Sequence, residues 1–145
     1  MIQRIQGVFL LLTSITFFLQ CIFKFATSDK WTPQLLSDKI YNILDNPVLI
    51  GMTILGGIVS LIAIFMFRNR PLQMRLGYFA IVLCILLPLV AFLLMYNEGT
   101  ALVEGTNIDD GVGIYLPVIG LISTILANRY IKKDNKLVKS MDRLR

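Results

Sequence analysis

The sequence contains no histidine and only two cysteines. Histidine is the commonest general base and metal ligand in proteins and the usual axial ligand of haem. Its absence therefore removes the most frequent centre of catalysis and cofactor binding. Cys21 and Cys84 both lie in apolar segments, where a cysteine behaves as a small packing residue. We expect no catalytic residue, no metal site, no cofactor and no disulfide.

Charged residues are absent from four long stretches of the chain. Residues 5–23, 47–67, 76–96 and 111–128 contain no Asp, Glu, Lys or Arg. The mean hydropathy of the whole chain is +0.72. A helix needs about 20 apolar residues to cross a hydrocarbon layer of ~30 Å. We predict an all-α membrane protein in which residues 1–128 form a domain of four transmembrane helices.

A cleaved signal peptide is the alternative interpretation of the first stretch. Its apolar run exceeds the usual length of ~7–15 residues, and no A-x-A-like cleavage site follows it. Gln20 before Cys21 is bulky where a lipoprotein signal has a small residue. We therefore expect an uncleaved helix.

The charges outside the four stretches separate by sign. The N-terminus, the link between helices two and three, and the C-terminal tail carry most of the Lys and Arg. The other two links carry most of the Asp and Glu. Because basic segments stay in the cytoplasm, we predict that both termini are cytoplasmic and that the acidic loops face the opposite side.

Small and polar residues mark the helix faces that we expect to pack together. In the first helix, Gln6, Thr13 and Gln20 recur every seven residues and share one face. Small residues let membrane helices approach closely, and polar residues find partners there, so this face is expected to point into the bundle or toward another subunit. The predicted helix-packing positions are Gln6, Thr13, Gln20, Gly56, Ser60, Ala80, Cys84 and Gly120.

Two prolines interrupt the predicted helices. Pro88 in the third helix and Pro117 in the fourth lack the N–H that would bond to the preceding turn, so each predicts a kink. Transporters use broken helices to build a site at mid-depth. The alternative function is therefore a small transporter or lipid-handling protein, with a cavity lined by Gln20, Cys84 and Gly113.

The outer segments predict local structure at the membrane surface. Apolar residues over 33–45 recur at helical spacing, which predicts a short amphipathic helix in the first periplasmic loop. Trp31 and Tyr41 in this loop are suited to the membrane–water boundary. Asn46 and Pro47 predict the N-cap and first turn of helix two, and one aspartate of the pair 109–110 is the expected N-cap of helix four.

Residues 129–145 form a basic tail that holds seven of the chain's 14 Lys and Arg. As a helix, this tail places lysines on one side and an apolar stripe on the other, which predicts a basic amphipathic helix. The stripe consists of Ile131, Leu137, Val138, Met141 and Leu144.

Three kinds of partner fit a basic amphipathic helix: anionic membrane lipids, other membrane protein subunits, or nucleic acid such as ribosomal RNA. We favour protein and lipid over RNA; the simplest alternative is that the tail only sets the topology. No small-molecule substrate is evident. The residues predicted to contact a partner or anionic lipid are Arg68, Arg70, Arg75, Arg129, Lys132, Lys133, Lys136, Lys139, Arg143 and Arg145.

The two ends of the chain also carry a resemblance. MIQRIQG at residues 1–7 and ILANRYIKKDNKLVKSMDRLR at residues 125–145 resemble the ends of an uncharacterised family of small four-helix membrane proteins from Bacteroidota. That family is catalogued as a domain of unknown function, and the resemblance spans the whole chain. It implies a location in the bacterial inner (cytoplasmic) membrane. It implies no activity, catalytic residue or cofactor.

These observations favour a non-enzymatic accessory or scaffold subunit of a larger membrane complex. The polar face of helix one and the small residues offer contacts between helices, and the tail offers a docking element. Translocation, secretion or envelope biogenesis is the expected setting.

Overall fold

The computed structural model describes residues 2–28, 40–97 and 108–142. Its four α-helices are α1 (Ile2–Leu19), α2 (Pro47–Phe65), α3 (Arg70–Asn97) and α4 (Leu116–Asp142). Three short strands are β1 (Ala26–Ser28), β2 (Ile40–Tyr41) and β3 (Ile108–Asp110). Turns of 3₁₀ helix cover Ile43–Asp45, Met66–Arg68 and Val112–Tyr115. The predicted architecture of four helices is confirmed.

In the described part of the chain, three helical segments are long and apolar enough to cross a membrane: Pro47–Arg68, Arg70–Tyr96 and Val112–Val138. The apolar part of α1, Ile5–Leu19, is shorter. The helix ends at Leu19 rather than at residue 23, because the residues that follow form turns leading into β1. The crossing of the membrane by α1, and with it the topology of four spans, stays a prediction.

The four helices pack as a ring. α1 lies between α2 and α4, and α3 closes the ring against the same two helices. The turn between α2 and α3 is short, so these helices form a hairpin. Across that hairpin, Gln73 Nε2 on α3 donates a hydrogen bond to the carbonyl of Ala63 on α2, at 2.9 Å.

The inside of the ring is rich in hydroxyl and amide groups, while its outside is apolar. Large apolar side chains are exposed on every helix, for example Val8, Ile58, Val82 and Ile122. Water would drive such side chains inside, whereas lipid does not. The distribution therefore supports a membrane protein. The buried polar residues are Gln6, Thr13, Ser14, Thr16, Gln20, Thr53, Ser60, Gln73, Ser123, Thr124 and Asn128.

Two apolar clusters fill the rest of the interior. The larger cluster lies toward the strands and includes Phe17, Tyr41 and Leu87. The smaller cluster, which lies toward the α2–α3 turn, is formed by Leu10, Ala63, Ala127 and Ile131. We use the term basic end for the part of the bundle around this second cluster, comprising the α2–α3 turn, the first turns of α3 and residues 129–142 of α4.

A small antiparallel sheet closes the opposite end, with strand order β2-β1-β3. Ala26 of β1 lies opposite both Tyr41 of β2 and Asp110 of β3. The amphipathic helix predicted over 33–45 is wrong for residues 40–45, which form β2 and a 3₁₀ turn. Residues 33–39 lie outside the described residues, as does Trp31, the other residue predicted to lie at the membrane–water boundary. The helical spacing of apolar residues did not produce a helix here, because the main chain of β2 pairs with β1, which lies earlier in the sequence.

Two other expectations for this end are wrong. Tyr41 is fully buried, and its hydroxyl donates to the carbonyl of Ala91 at 3.2 Å, so it anchors the sheet to α3 rather than lying at the membrane–water boundary. Asp109 and Asp110 lie in β3, and Gly111 caps the 3₁₀ turn that precedes α4. Neither aspartate caps a helix.

The start of α2 is as predicted. Asn46 Oδ1 accepts a hydrogen bond from the Val48 N–H at 2.9 Å. Pro47 occupies the first turn, where the missing N–H has no helical partner to lose.

Helix α4 differs from the predicted span 111–128 at both ends. It begins at Leu116, after a 3₁₀ turn, and runs without a break to Asp142. Pro117 therefore lies in its first turn, and the kink predicted there inside the helix is wrong. Pro88 does lie inside a helix, α3, which continues through it.

Candidate binding surface at the basic end

Helix α4 is packed firmly onto the bundle beyond residue 128. Ile131 is fully buried in the cluster that contains Leu10 and Ala63. The ring of Tyr130 stacks on the ring of Phe9 of α1, with centroids 5.7 Å apart. The first part of the predicted tail is therefore the continuation of a bundle helix, and its direction is fixed by these contacts.

An ion pair adds a third contact between α4 and the bundle. Asp134 Oδ2 lies 3.0 Å from Arg70 Nε at the start of α3, and the two side chains are 13% and 19% exposed. Arg70 is one of the residues predicted to contact a partner or anionic lipid. Its guanidinium faces a carboxylate within the chain, and the contact with a partner or lipid stays a prediction.

Six of the predicted cations are exposed at the basic end. Arg68 and Arg75 flank the start of α3, whereas the other four lie on α4. Lys139 belongs to α4, but the structure does not describe its side chain. Arg143 and Arg145 lie outside the described residues. At 100° per residue, the α4 cations share one side of the helix. We call this set the basic face of α4; it consists of Arg129, Lys132, Lys133, Lys136 and Lys139.

The predicted apolar stripe of the tail is divided between the bundle and the surface. Ile131 is buried, Val138 is half-buried, and Leu137 is 45% exposed. The side chain of Met141 and the whole of Leu144 lie outside the described residues. Part of the stripe thus packs against the protein itself, and Leu137 remains as an exposed apolar group beside Lys136.

The polar face of α1 points into the ring. Gln6, Thr13 and Gln20 are all buried. Thr13 Oγ1 lies 3.0 Å from Thr124 Oγ1 of α4, and Ser14 Oγ donates to the carbonyl of Gly57 of α2 at 3.1 Å. Thr13 and Ser14 therefore connect α1 to both of its neighbours.

Small residues lie where helices approach most closely. A Cβ on Gly56 would overlap the buried ring of Phe17, and one on Gly120 would lie 2.8 Å from Thr16 Oγ1 and 3.3 Å from Cys84 Sγ. Ser60 and Ala80 are fully buried. The predicted small residues thus occupy the contacts of α1 with α2 and of α1 and α3 with α4.

The residues proposed to line a transport cavity have different neighbours. Gly113 packs against the main-chain carbonyl of Lys24 at the sheet end. Cys84 packs against Gly120, which follows Gly113 by seven residues. Gln20 is buried on the polar face of α1.

Two buried amides at the basic end were not among the predicted sites. Gln73 and Asn128 are 1% and 6% exposed. Within the described part of the chain, Gln73 Oε1 and both polar atoms of the Asn128 side chain have no hydrogen-bond partner. Asn128 packs against Gly77 of α3, where a Cβ would overlap its amide. The signal for Gln73 was hidden because α3 begins at Arg70 rather than at residue 76. Asn128 ends the predicted fourth span, and the sequence alone does not indicate that its amide is buried.

Comparisons with known proteins place the chain in a family. The search of curated proteins and the search of solved structures each found no match. The family model described as "Domain of unknown function (DUF4293)" matches residues 2–144. Because this match covers nearly the whole sequence, including all four helices, the chain belongs to the DUF4293 family of unknown function.

Proposed function

We propose that this protein is a non-enzymatic accessory or scaffold subunit of a larger complex in the bacterial inner membrane, and that it docks through the basic face of α4. The observation that carries the proposal is that α4 is held in a fixed direction by contacts with the bundle and exposes cations on its outer side. Ile131, Tyr130 and Asp134 hold the helix in place, while the side chains of Lys132, Lys133 and Lys136 are exposed at the surface.

The charge distribution supports an orientation with this end in the cytoplasm. Six of the seven described exposed cations lie at the basic end, and Lys24 lies at the sheet end. The acidic residues Asp45, Asp109 and Asp110 also lie at the sheet end, whereas Asp134 and Asp142 belong to α4. Cytoplasmic segments of membrane proteins carry an excess of Lys and Arg. The basic face of α4 would then meet cytoplasmic-side parts of partner subunits, in translocation, secretion or envelope biogenesis.

The interior chemistry supports a role without catalysis. The buried polar side chains of the described residues are hydroxyls and amides, which do not act as strong bases or nucleophiles without an activating partner. The one described ion pair, Arg70 with Asp134, lies at the end of the bundle and joins two helices. Among the described residues, no three His, Cys, Asp or Glu side chains come together as a metal site.

Another membrane protein is the occupant that best fits the surface beyond Asp134. Leu137 is 45% exposed beside the exposed Lys136. Helix-in-groove docking uses such a combination, because apolar anchors enter the groove while charges at its rim select the partner. Extraction in a gentle detergent, followed by mass spectrometry of the co-purifying proteins, tests the proposal directly. A reproducible set of membrane proteins is expected, and recovery of the chain alone would contradict it.

Reversing Lys132, Lys133, Lys136 and Lys139 to Glu is expected to reduce partner recovery at least about tenfold. Each cation near an anionic surface contributes about 1 kcal/mol, and reversal replaces attraction by repulsion. The loss should be smaller at high salt, because salt weakens both terms. Quantitative mass spectrometry of the purified complex at low and high salt measures both effects.

The matched control replaces the same four lysines by Arg, which keeps the charge and is expected to keep the partners. Because basic residues also set membrane orientation, a reporter at the C-terminus should verify that the Glu variant keeps its topology. Full recovery of the partners by a correctly oriented Glu variant would mean that the tail only sets the topology.

A further inference from the structure

A groove of about 300 Å³ runs between α3 and α4 at the basic end. The polarity of its lining increases along its length, from two isoleucine side chains to an amide and then to two cations. The lining residues are Tyr78, Ile81, Ile125, Asn128, Arg129 and Lys132.

Asn128 gives the groove an unused hydrogen-bonding group. Its side chain is 6% exposed, and neither its amide nitrogen nor its oxygen has a hydrogen-bond partner among the residues that the structure describes. Buried polar groups in native proteins are nearly always hydrogen-bonded. Gly77 provides the space for this amide, since any Cβ at that position would overlap it. An amide held in this way is suited to bond a polar group that enters the groove.

Two cations stand next to this amide. Arg129 and Lys132 are exposed, and the structure gives neither of them an ion-pair partner among the residues it describes. A phosphate group matches such a set, because guanidinium and ammonium groups both donate charge-assisted hydrogen bonds to its oxygens. Tyr78, which is 52% exposed, adds a hydroxyl at the rim.

The groove lies at the depth of lipid headgroups. Ile125 belongs to the apolar part of α4, whereas Arg129 is the first charged residue after that part. From Ile125 to Lys132 the helix rises about 10 Å, which is enough to take a ligand from the acyl region into the headgroup region. Tyrosine is itself enriched at this boundary. Ile125 is 48% exposed, so the groove opens on the side that faces lipid.

We propose that this groove binds the phosphate of one anionic phospholipid from the adjacent leaflet. Arg129 and Lys132 contact the phosphate, Asn128 donates a hydrogen bond to a headgroup oxygen, and Ile81 and Ile125 pack against the upper part of an acyl chain. The site does not depend on docking of a partner protein through the basic face of α4, although Arg129 and Lys132 belong to both surfaces.

The test uses the full chain, purified in a mild detergent and titrated with phosphatidylglycerol or phosphatidylcholine. Native mass spectrometry then counts the lipids retained. The wild type is expected to retain one phosphatidylglycerol in preference to phosphatidylcholine. The double variant Arg129→Gln, Lys132→Gln should retain it roughly thirtyfold less well, from the usual contribution of two cations near an anionic group. The matched control Lys133→Gln, Lys136→Gln removes equal charge from the same helix but outside the groove, and should retain the lipid.

The variant Asn128→Leu separates a lipid contact from a structural role. Leucine fills a similar volume and removes the unpaired polar atoms, so the folded chain should be no less heat-stable while phosphatidylglycerol retention falls several-fold. Equal losses in the groove and control variants would overturn the site, as would equal retention of the two lipids. Displacement of the lipid by millimolar inorganic phosphate would also overturn it, since the groove would then be a site for the free ion. No partner protein takes part, so this outcome is independent of the co-purification experiment.

Discussion

Replacing Gly111 by alanine is expected to destabilise the fold by about 3 kcal/mol, the upper part of the usual range for overpacking. A Cβ at this position would overlap the main-chain carbonyl oxygen of Lys24 and lie 3.0 Å from the carbonyl carbon of Phe25. The two main chains cannot separate easily. Gly111 N–H donates to the Phe25 carbonyl at 3.0 Å, and Gly113 N–H donates to the Lys24 carbonyl at 2.9 Å.

The expected loss comes from contact and not from backbone conformation. Gly111 has φ −83° and ψ 163°, which alanine adopts without strain. The obstacle is main chain, so no side-chain rotation can relieve it. The variant is therefore expected to loosen the connection between the strands and the start of α4.

Thermal unfolding of the detergent-purified chain measures this effect, and three glycines provide a series. At Gly113 a Cβ would lie 2.7 Å from the Lys24 carbonyl oxygen, so Gly113→Ala should destabilise less than Gly111→Ala. At Gly51, in α2, a Cβ meets nothing within 4 Å. Gly51→Ala is therefore expected to leave stability unchanged or raise it slightly, because alanine favours helix. An unfolding midpoint of Gly111→Ala equal to that of Gly51→Ala would contradict the packing of the sheet end.

The helices could be predicted because their signals are local. A long uncharged stretch and the Asn46-Pro47 start of α2 are each recognised from consecutive residues, without knowledge of the tertiary structure. The structure has long apolar helices and shows Asn46 as the N-cap of α2. The sheet could not be predicted in this way. Strands of two or three residues carry almost no pattern, and Tyr41 acquires its role by pairing with Ala26 and bonding to Ala91. These partners are distant in the sequence.

The same limit applies to the basic end. Residue type indicates which side chains carry positive charge, and helical spacing places Lys132, Lys133 and Lys136 on the side opposite the apolar stripe. These positions could therefore be predicted from the sequence. It does not indicate that Arg70 meets Asp134, because that contact depends on how α3 and α4 lie against each other. The burial of the Asn128 amide could not be predicted either, because it also depends on how α4 packs against Gly77 of α3. From the sequence alone, an Asn at the end of an apolar stretch is expected to face water.

Neutralising Asp134 to Asn is expected to destabilise the bundle by about 3 kcal/mol, the lower end of the range for breaking a buried ion pair. The lower end applies because the Arg70 and Asp134 side chains keep 19% and 13% exposure. The cost arises because Arg70 would stay confined at the start of α3 without its countercharge. Arg70→Gln should lose a similar amount, for the mirror-image reason.

Exchanging the two charges is expected to restore stability. In the double variant Arg70→Asp, Asp134→Arg, the opposite charges meet again and the net charge of the basic end is unchanged, so the membrane orientation is not disturbed. An aspartate at residue 70 also lies at the N-terminus of α3, where the helix dipole favours negative charge. The exchanged pair should therefore recover at least most of the loss seen in either single variant.

Arg75→Gln is the control that makes this double-mutant cycle decisive. It removes one positive charge from α3 near Arg70, but its side chain is exposed and the structure shows it in no ion pair among the described residues. Thermal unfolding midpoints of the control, the single variants and the exchanged pair give the coupling energy between the two positions. If Arg70→Gln costs no more than Arg75→Gln, or the exchanged pair is less stable than both singles, the ion pair does not hold α4 against α3. The basic face of α4 would then lack the fixed direction that its proposed docking role requires.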